Sequence, residues 1–202
     1  TIAVLADANL PEGLRGKTVL DVGCGFGTTA LAVSAFAPKR IVAVDSSAGM
    51  IELLKTVLLS KTDLRKWIAG QKGARRVLGR FYNPTLDHLL LMREVFQKGI
   101  FTRRGGELVA INADGLEVHR LGLGPVDAVI GSNYLHWPVN KLVSEKYFLR
   151  YACWNALCPL AAILKPGGIV VLMEGEDFIT LDDKPEEEAD FSGNVAVEHP
   201  VF

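Results

Sequence analysis

No stretch of the sequence approaches the eighteen or so apolar residues of a membrane span, and the first residues lack the basic-then-apolar order of a secretory leader. Cysteine is scarce. Cys24, Cys153 and Cys158 make no CxxC pair and no even set, which excludes a disulfide framework and reads as reduced thiols of a cytoplasmic protein. His88, His119 and His199 show no i, i+4 pairing and no zinc-type spacing, so no metal site is expected. Net charge is nearly absent at −1, which argues against a surface-wide attraction to nucleic acid. There is no internal repeat and no low-complexity run.

What is present is enough apolar mass for a real core: 49% hydrophobic against 22% charged, over 202 residues. That length suits a single domain over 1–202, with room for an insertion. The most informative stretch is Thr18-Val-Leu-Asp-Val-Gly-Cys-Gly-Phe-Gly27. A short β-branched and apolar run ends in Gly23, Gly25 and Gly27, and a segment rich in Ala, Leu and Val follows from Thr28. Glycine suits a tight strand-to-helix turn because it tolerates positive φ and lets another group touch the backbone. An ordinary turn needs one glycine; three in five residues point to close approach of a nucleotide-type ligand. Cys24 reads as a small residue that fits the turn.

The rest of the chain alternates. Strands are expected at Thr18–Val22, Arg40–Val44 (ending at Asp45), Glu107–Ile111, Val126–Gly131 and Ile169–Met173. Helices are expected from Thr28 to Phe36, from Ala48 through Leu58 with Ser46 and Ser47 as caps, and from Ser144 to Leu164. Lys165-Pro-Gly-Gly168 reads as a turn after that last helix. This order predicts an α/β fold, a Rossmann-like, doubly wound, mostly parallel sheet with helices on both faces. Residues 61–104 break the rhythm. They carry eleven Lys and Arg against Asp63, Asp87 and Glu94, with a helical apolar period from Leu86 to Phe96. We read a basic helical insertion between strands two and three. Its charge is either a solvated face or a lid that recognises an acidic substrate or carrier.

In an open parallel sheet, ligands bind outside the carboxyl ends of the strands. Gly23, Gly25 and Gly27 follow the first strand, Asp45 ends the second, Asp114 follows the third, and Asn133 to Trp137 follow the fourth. A carboxylate at Asp45 is placed to accept from a ribose diol. Asp114 is placed to accept from an adenine amine, and Met50 can wall a purine ring. A dinucleotide turn of the G-x-G-x-x-G type needs a third glycine where Thr28 stands. Asp21, just ahead of the turn, would repel a pyrophosphate and favour a ligand with an amine and a sulfonium.

On these residues the sequence resembles the class I S-adenosylmethionine-dependent methyltransferases. Val19–Gly27 resembles the family's first motif, and Val42-Ala-Val-Asp45-Ser-Ser its second. Asn112-Ala-Asp114-Gly115 resembles the adenine-contacting motif, Asp127–Trp137 the motif lining the methyl-transfer site, and Leu164–Ile169 the segment before strand five. The resemblance implies S-adenosyl-L-methionine as cofactor, held by Asp21, Gly23, Gly25, Gly27, Asp45, Ser46, Met50, Asp114, Gly115 and Asn133. It implies in-line transfer of a methyl group to a small-molecule or carrier-tethered acceptor. His136 is the candidate general base and Tyr134 a candidate shaper of the acceptor pocket. Residues 61–104 are longer than the family's usual link. After strand five only Glu174–Phe202 remain, so the family's C-terminal strand pair is expected to be abbreviated or missing. Two other readings stand beside this one: a methyltransferase-like binding module without catalysis, and a nucleotide-cofactor oxidoreductase, against which the missing third glycine counts. Nucleic-acid methylation is disfavoured by the net charge and by Ser132-Asn-Tyr-Leu-His in place of an Asn-Pro-Pro-aromatic signature.

Overall fold

A computed structural model describes residues 13–70, 85–132, 134, 149–173 and 196–197. Its strands are β1 (Thr18–Val22), β2 (Arg40–Asp45), β3 (Glu107–Asn112), β4 (Val126–Ser132), β5 (Leu164–Met173) and β6 (Ala196–Val197). The helices are α1 (Thr28–Ser34), α2 (Ala48–Leu54), α3 (Leu64–Gly70), α4 (Leu86–Lys98), α5 (Ile100–Arg103) and α6 (Leu149–Ala161). The sheet order is β3-β2-β1-β4-β5-β6. The first five strands are parallel, and only the two-residue β6 runs antiparallel, against β5. The order reverses direction between β1 and β4, so the carboxyl ends of those strands flank the crevice where α/β ligands sit.

Both faces of the sheet are covered, which is why β1 and β2 are mostly apolar rather than alternating, with Asp21 as the exception inside β1. One face packs Val19, Ile41, Ala43, Ala128 and Ile130 under α1, α2 and α4. The other packs Leu20, Val22, Val42, Val44 and Val129 with Val118, Leu160 and Ile163. Asp21 is in phase with Val19 and is fully buried on the first face.

Local chemistry sets the ends of the elements. The Ser47 side chain accepts from the Met50 N–H at 3.4 Å and starts α2. α1 stops at Ser34, two residues before the expected Phe36, because Ala35, Phe36 and Ala37 fold their N–H groups back onto Ala32, Val33 and Ser34. α2 runs on as a π-helical turn over Lys55–Leu59, covering the expected span to Leu58. Residues 115–120, read as a connection, form a 3₁₀ turn whose N-cap is Asp114. The long helix expected over 144–164 is seen as α6, Leu149–Ala161; residues 135–148 lie outside the described residues. The Lys165-Pro-Gly-Gly turn is corrected: these residues lie inside β5. Val126 pairs with Leu164 and Ala128 with Ile169, so the segment is a bulge that loops out and rejoins the ladder, with Gly167 at φ +74°.

Two charged residues hold this frame from outside the site. Asp127 accepts from the Thr18 N–H at 2.8 Å and pairs with Lys165 at 2.9 Å and Lys17 at 3.9 Å. It thus ties the starts of β1 and β4 to the β5 bulge. Arg93, on α4, donates to the carbonyls of Thr56, Val57 and Thr62 at 2.6, 3.0 and 2.7 Å. A planar guanidinium suits this fork of acceptors at the end of a helical segment. Among the described residues, no helix is long and apolar enough to cross a membrane.

Arg93→Lys keeps the charge but loses the fork, and is expected to cost about 1–3 kcal/mol, read from the urea midpoint. Asp127 gives a pH-dependent counterpart. Burial pushes its carboxyl up, but the Thr18 N–H and the Lys165 and Lys17 cations more than offset this and hold it below its ordinary value. A carboxyl held low stabilises the fold above its unfolded value, and that stability is lost as pH falls through the folded value. Asp127→Asn is therefore expected to be less stable than wild type by about 1–2 kcal/mol at neutral pH, the gap closing below about pH 4.

Candidate functional site

The glycine turn has the geometry its sequence requires. Gly23, Gly25 and Gly27 all lie at positive φ, +67°, +52° and +98°. The conformation lets three successive N–H groups point at the end of β2. Those of Gly23 and Cys24 donate to the Val44 carbonyl at 2.8 and 3.1 Å. That of Gly25 donates to Asp45 Oδ2 at 2.9 Å. The Ser47 N–H donates to Asp45 Oδ1 at 2.8 Å, so each carboxylate oxygen is held by one backbone donor. The Asp45 carbonyl in turn accepts from Asn112 Nδ2 at 2.9 Å and from the Ala113 N–H at 3.0 Å, which brings in the end of β3. Asp45 thereby joins the ends of three strands.

The other expected residues fall around this centre. A Cβ at Gly25 would meet nothing within 4 Å, so the turn is open there to an approaching group. Met50 is buried beside the turn and Ser46 is exposed. Asp114 Oδ1 accepts from the Leu116 N–H at 3.0 Å, the capping role that a lone Asp commonly takes. Tyr134 is 5% exposed and its side chain fills the space beside Gly23, Gly115 and Gly131, where Gly115 has no room for a Cβ. It belongs to the apolar layer of Val22, Val44 and Val118. Asn133 and His136 lie outside the described residues. That Asn112 and the Ser47 amide hold Asp45 was not expected. Asn112 has a sequence signal, as a side-chain amide at the end of a strand; the Ser47 amide has none, since every residue carries one.

The electrostatics of the turn are one-sided. Asp21 is completely buried, and among the described residues neither carboxylate oxygen has a hydrogen-bond partner. Burial, and then the nearby Asp45, push its carboxyl well above the usual range; the Ala30 amide opposes this without completing a hydrogen bond. An unpaired charge in such a place would cost several kcal/mol, which favours the protonated acid. The Cys24 thiol is pushed up as well, by burial and then by Asp21 and Asp45. Among the described residues, no Lys, Arg or His ion pair reaches Asp21 or Asp45. This arrangement suits a cationic ligand and opposes a pyrophosphate.

Two substitutions test the turn. Gly25→Ala is strained only by its left-handed backbone and is expected to cost about 1–2 kcal/mol. Gly27→Ala adds a clash, since its Cβ would stand 3.0 Å from Leu58 and 3.1 Å from Leu54. Chemical denaturation should rank Gly27→Ala as the more damaging; the reverse order would refute the geometry.

Residues 19–73 match a family model described as a methyltransferase domain. That span holds β1, the glycine turn, β2 and Asp45. Among curated proteins, none matches the chain. The solved structures that align with it include an arsenic(III) S-adenosylmethionine methyltransferase from Chlamydomonas reinhardtii, at 17% identity over 80% of this chain and 40% of that one, TM-score 0.45. An S-adenosylmethionine-dependent methyltransferase from Mesorhizobium loti aligns at 18% identity over 85% of this chain and 53% of that one, TM-score 0.45. A precorrin 8w decarboxylase from Methanobacterium thermoautotrophicum aligns at 15% identity over 84% and 61%, TM-score 0.44. The chain spans less than two thirds of each of these proteins. Over residues 19–73 the chain is similar to a methyltransferase domain, and the sheet that carries this segment has the parallel order β3-β2-β1-β4-β5.

Proposed function

We propose that the chain moves a methyl group from S-adenosyl-L-methionine to a small-molecule or carrier-tethered acceptor by in-line displacement. The observation that carries this reading is the carboxylate of Asp45, oriented by the Gly25 and Ser47 N–H groups at the end of β2. The residues present fit the cofactor. Each Asp45 oxygen spends one lone-pair direction on a backbone donor and retains capacity for a ribose hydroxyl. The open space at Gly25 lets a ligand lie against the backbone. Asp21 has no partner among the described residues, and a cationic ligand would supply the positive charge that it lacks. Gly23 and Gly27 shape the turn, Met50 walls the purine side, and Ser46, Asp114 and Gly115 complete the rim; we assign Asn133 to the same cofactor.

The cofactor supplies a methyl group already activated on a sulfonium. The protein's share is therefore orientation, which is worth up to about 7–11 kcal/mol when reacting atoms are held in line. Proton removal is needed only for an acceptor that must lose one, and we assign that task to His136. Tyr134, packed on Gly115 and Gly131, sets the floor between the glycine turn and the end of β4. Five basic residues of the 61–104 stretch, Lys61, Arg65, Lys66, Arg103 and Arg104, make no ion pair among the described residues. They support docking of an acidic substrate or carrier. The free cysteines fit a cytoplasmic setting.

Titration calorimetry tests the reading. S-adenosylmethionine should bind and a nicotinamide dinucleotide should not; the opposite result overturns it. Asp45→Ala should weaken S-adenosylmethionine binding about ten- to a hundredfold, the worth of a hydrogen bond to a charged group. Wild-type affinity in that variant would show that the ribose is held elsewhere.

A further inference from the structure

The fold gives no reason for a carboxyl group at position 21. Its neighbours in register are Ala43 on β2 and Ile130 on β4, both apolar. Its own face of the sheet holds Val19, Ala30 and Val33. The side chain is completely buried, and both oxygens lack a partner among the described residues. A Val of similar size would fill the space at lower cost, because an unsatisfied buried acid loses its hydration without return. Few groups act on it. From the glycine turn comes the Cys24 thiol, from the end of β2 the Asp45 carboxylate, and from the first turn of α1 only the Ala30 amide. β4 and the rest of β2 contribute no titratable side chain beside it. The three acid groups crowd together with no cation among the described residues.

Resting on the cofactor reading above, we propose that Asp21 is the charge-selecting residue of the site: it keeps its proton in the ligand-free protein and releases it when a ligand cation enters, so that cofactor binding and proton release are coupled. The balance is simple. A neutral carboxyl and a cationic ligand become a carboxylate–cation pair, and the proton passes to the buffer. No covalent bond of the ligand changes. The direction follows from burial beside Asp45, which favours the neutral acid until positive charge is supplied. Selection follows from the same cause: a neutral or anionic ligand leaves the acid protonated and gains nothing from it, whereas a cation at the turn gains Coulomb attraction across a water-poor layer. The ligand's own amine cannot mimic the effect, since entering a negative site would make it hold its proton more firmly or take one up.

The test is calorimetry with S-adenosylmethionine at one pH in two buffers of different ionisation enthalpy, phosphate and Tris. The heat should differ between buffers in the sense of release, approaching about one proton per ligand bound. In Asp21→Asn the buffer dependence should vanish and affinity should fall about ten- to a hundredfold. Stability without ligand supplies a second readout. A carboxyl raised in the folded state favours the fold only at low pH and loses that contribution as pH rises. Ligand-free Asp21→Asn should therefore be the more stable protein at neutral pH, with wild type gaining on it as pH falls. Binding of S-adenosylmethionine with the same heat in both buffers overturns the proposal and leaves the cofactor reading intact. So does proton release that survives in Asp21→Asn, or a variant less stable than wild type at neutral pH. No binding at all is a different failure: it overturns the cofactor reading and this inference with it.

Discussion

Three consecutive backbone N–H groups, those of Gly23, Cys24 and Gly25, are gathered by the last two residues of β2. The rest of the site depends on that contact. It requires the chain leaving β1 to bend across β2 at once, which left-handed glycines permit and side-chained residues resist. It also fixes Asp45, whose carboxylate holds the turn while its carbonyl holds Asn112 and Ala113 at the end of β3. The mouth of the sheet is therefore positioned by short backbone contacts rather than by long, entropically costly side chains. Such a frame loses little freedom when a ligand arrives.

The same closeness creates an electrostatic conflict. Bringing β1 and β2 together at the turn places Asp21 beside Asp45 and Cys24, in a layer otherwise made of Val, Ile and Ala. A fold selected for stability alone would remove one of these acids. Its retention links the packing of the sheet to the chemistry of the ligand, because a cation supplies what the apolar layer cannot. Sites that trade local stability for function are the expected places for such violations.

Much of the architecture was legible because it rests on local signals. Strand–helix alternation, the β1 and β2 runs, the Ser47 cap and the glycine register all appear within a few residues of where they act. The Lys165-Pro-Gly-Gly segment was not legible. Its glycines read as a helix stop, but Val126 and Ala128 of the neighbouring strand recruit the residues on either side of it into β5. The basic stretch shows the same limit. Its composition gave the sign of the charge, yet Arg93 is occupied with the carbonyls of Thr56, Val57 and Thr62, and Lys98 with Glu94. A count of cations cannot tell which ones face a carbonyl across 31 to 37 residues of chain.

The sequence by itself determined the class of fold, the turn after β1 and the chemical type of the residues at the strand ends. These follow from periodicity and from the steric freedom of glycine, which act over a few bonds. Only the tertiary structure decided that both Asp45 oxygens hold backbone donors, that Asp114 is a cap, that Tyr134 packs inward between three glycines, and that Asp21 lies buried with no partner among the described residues. Hydrogen-bond satisfaction and desolvation belong to what surrounds a group in space, and that environment is assembled from strands distant in the chain.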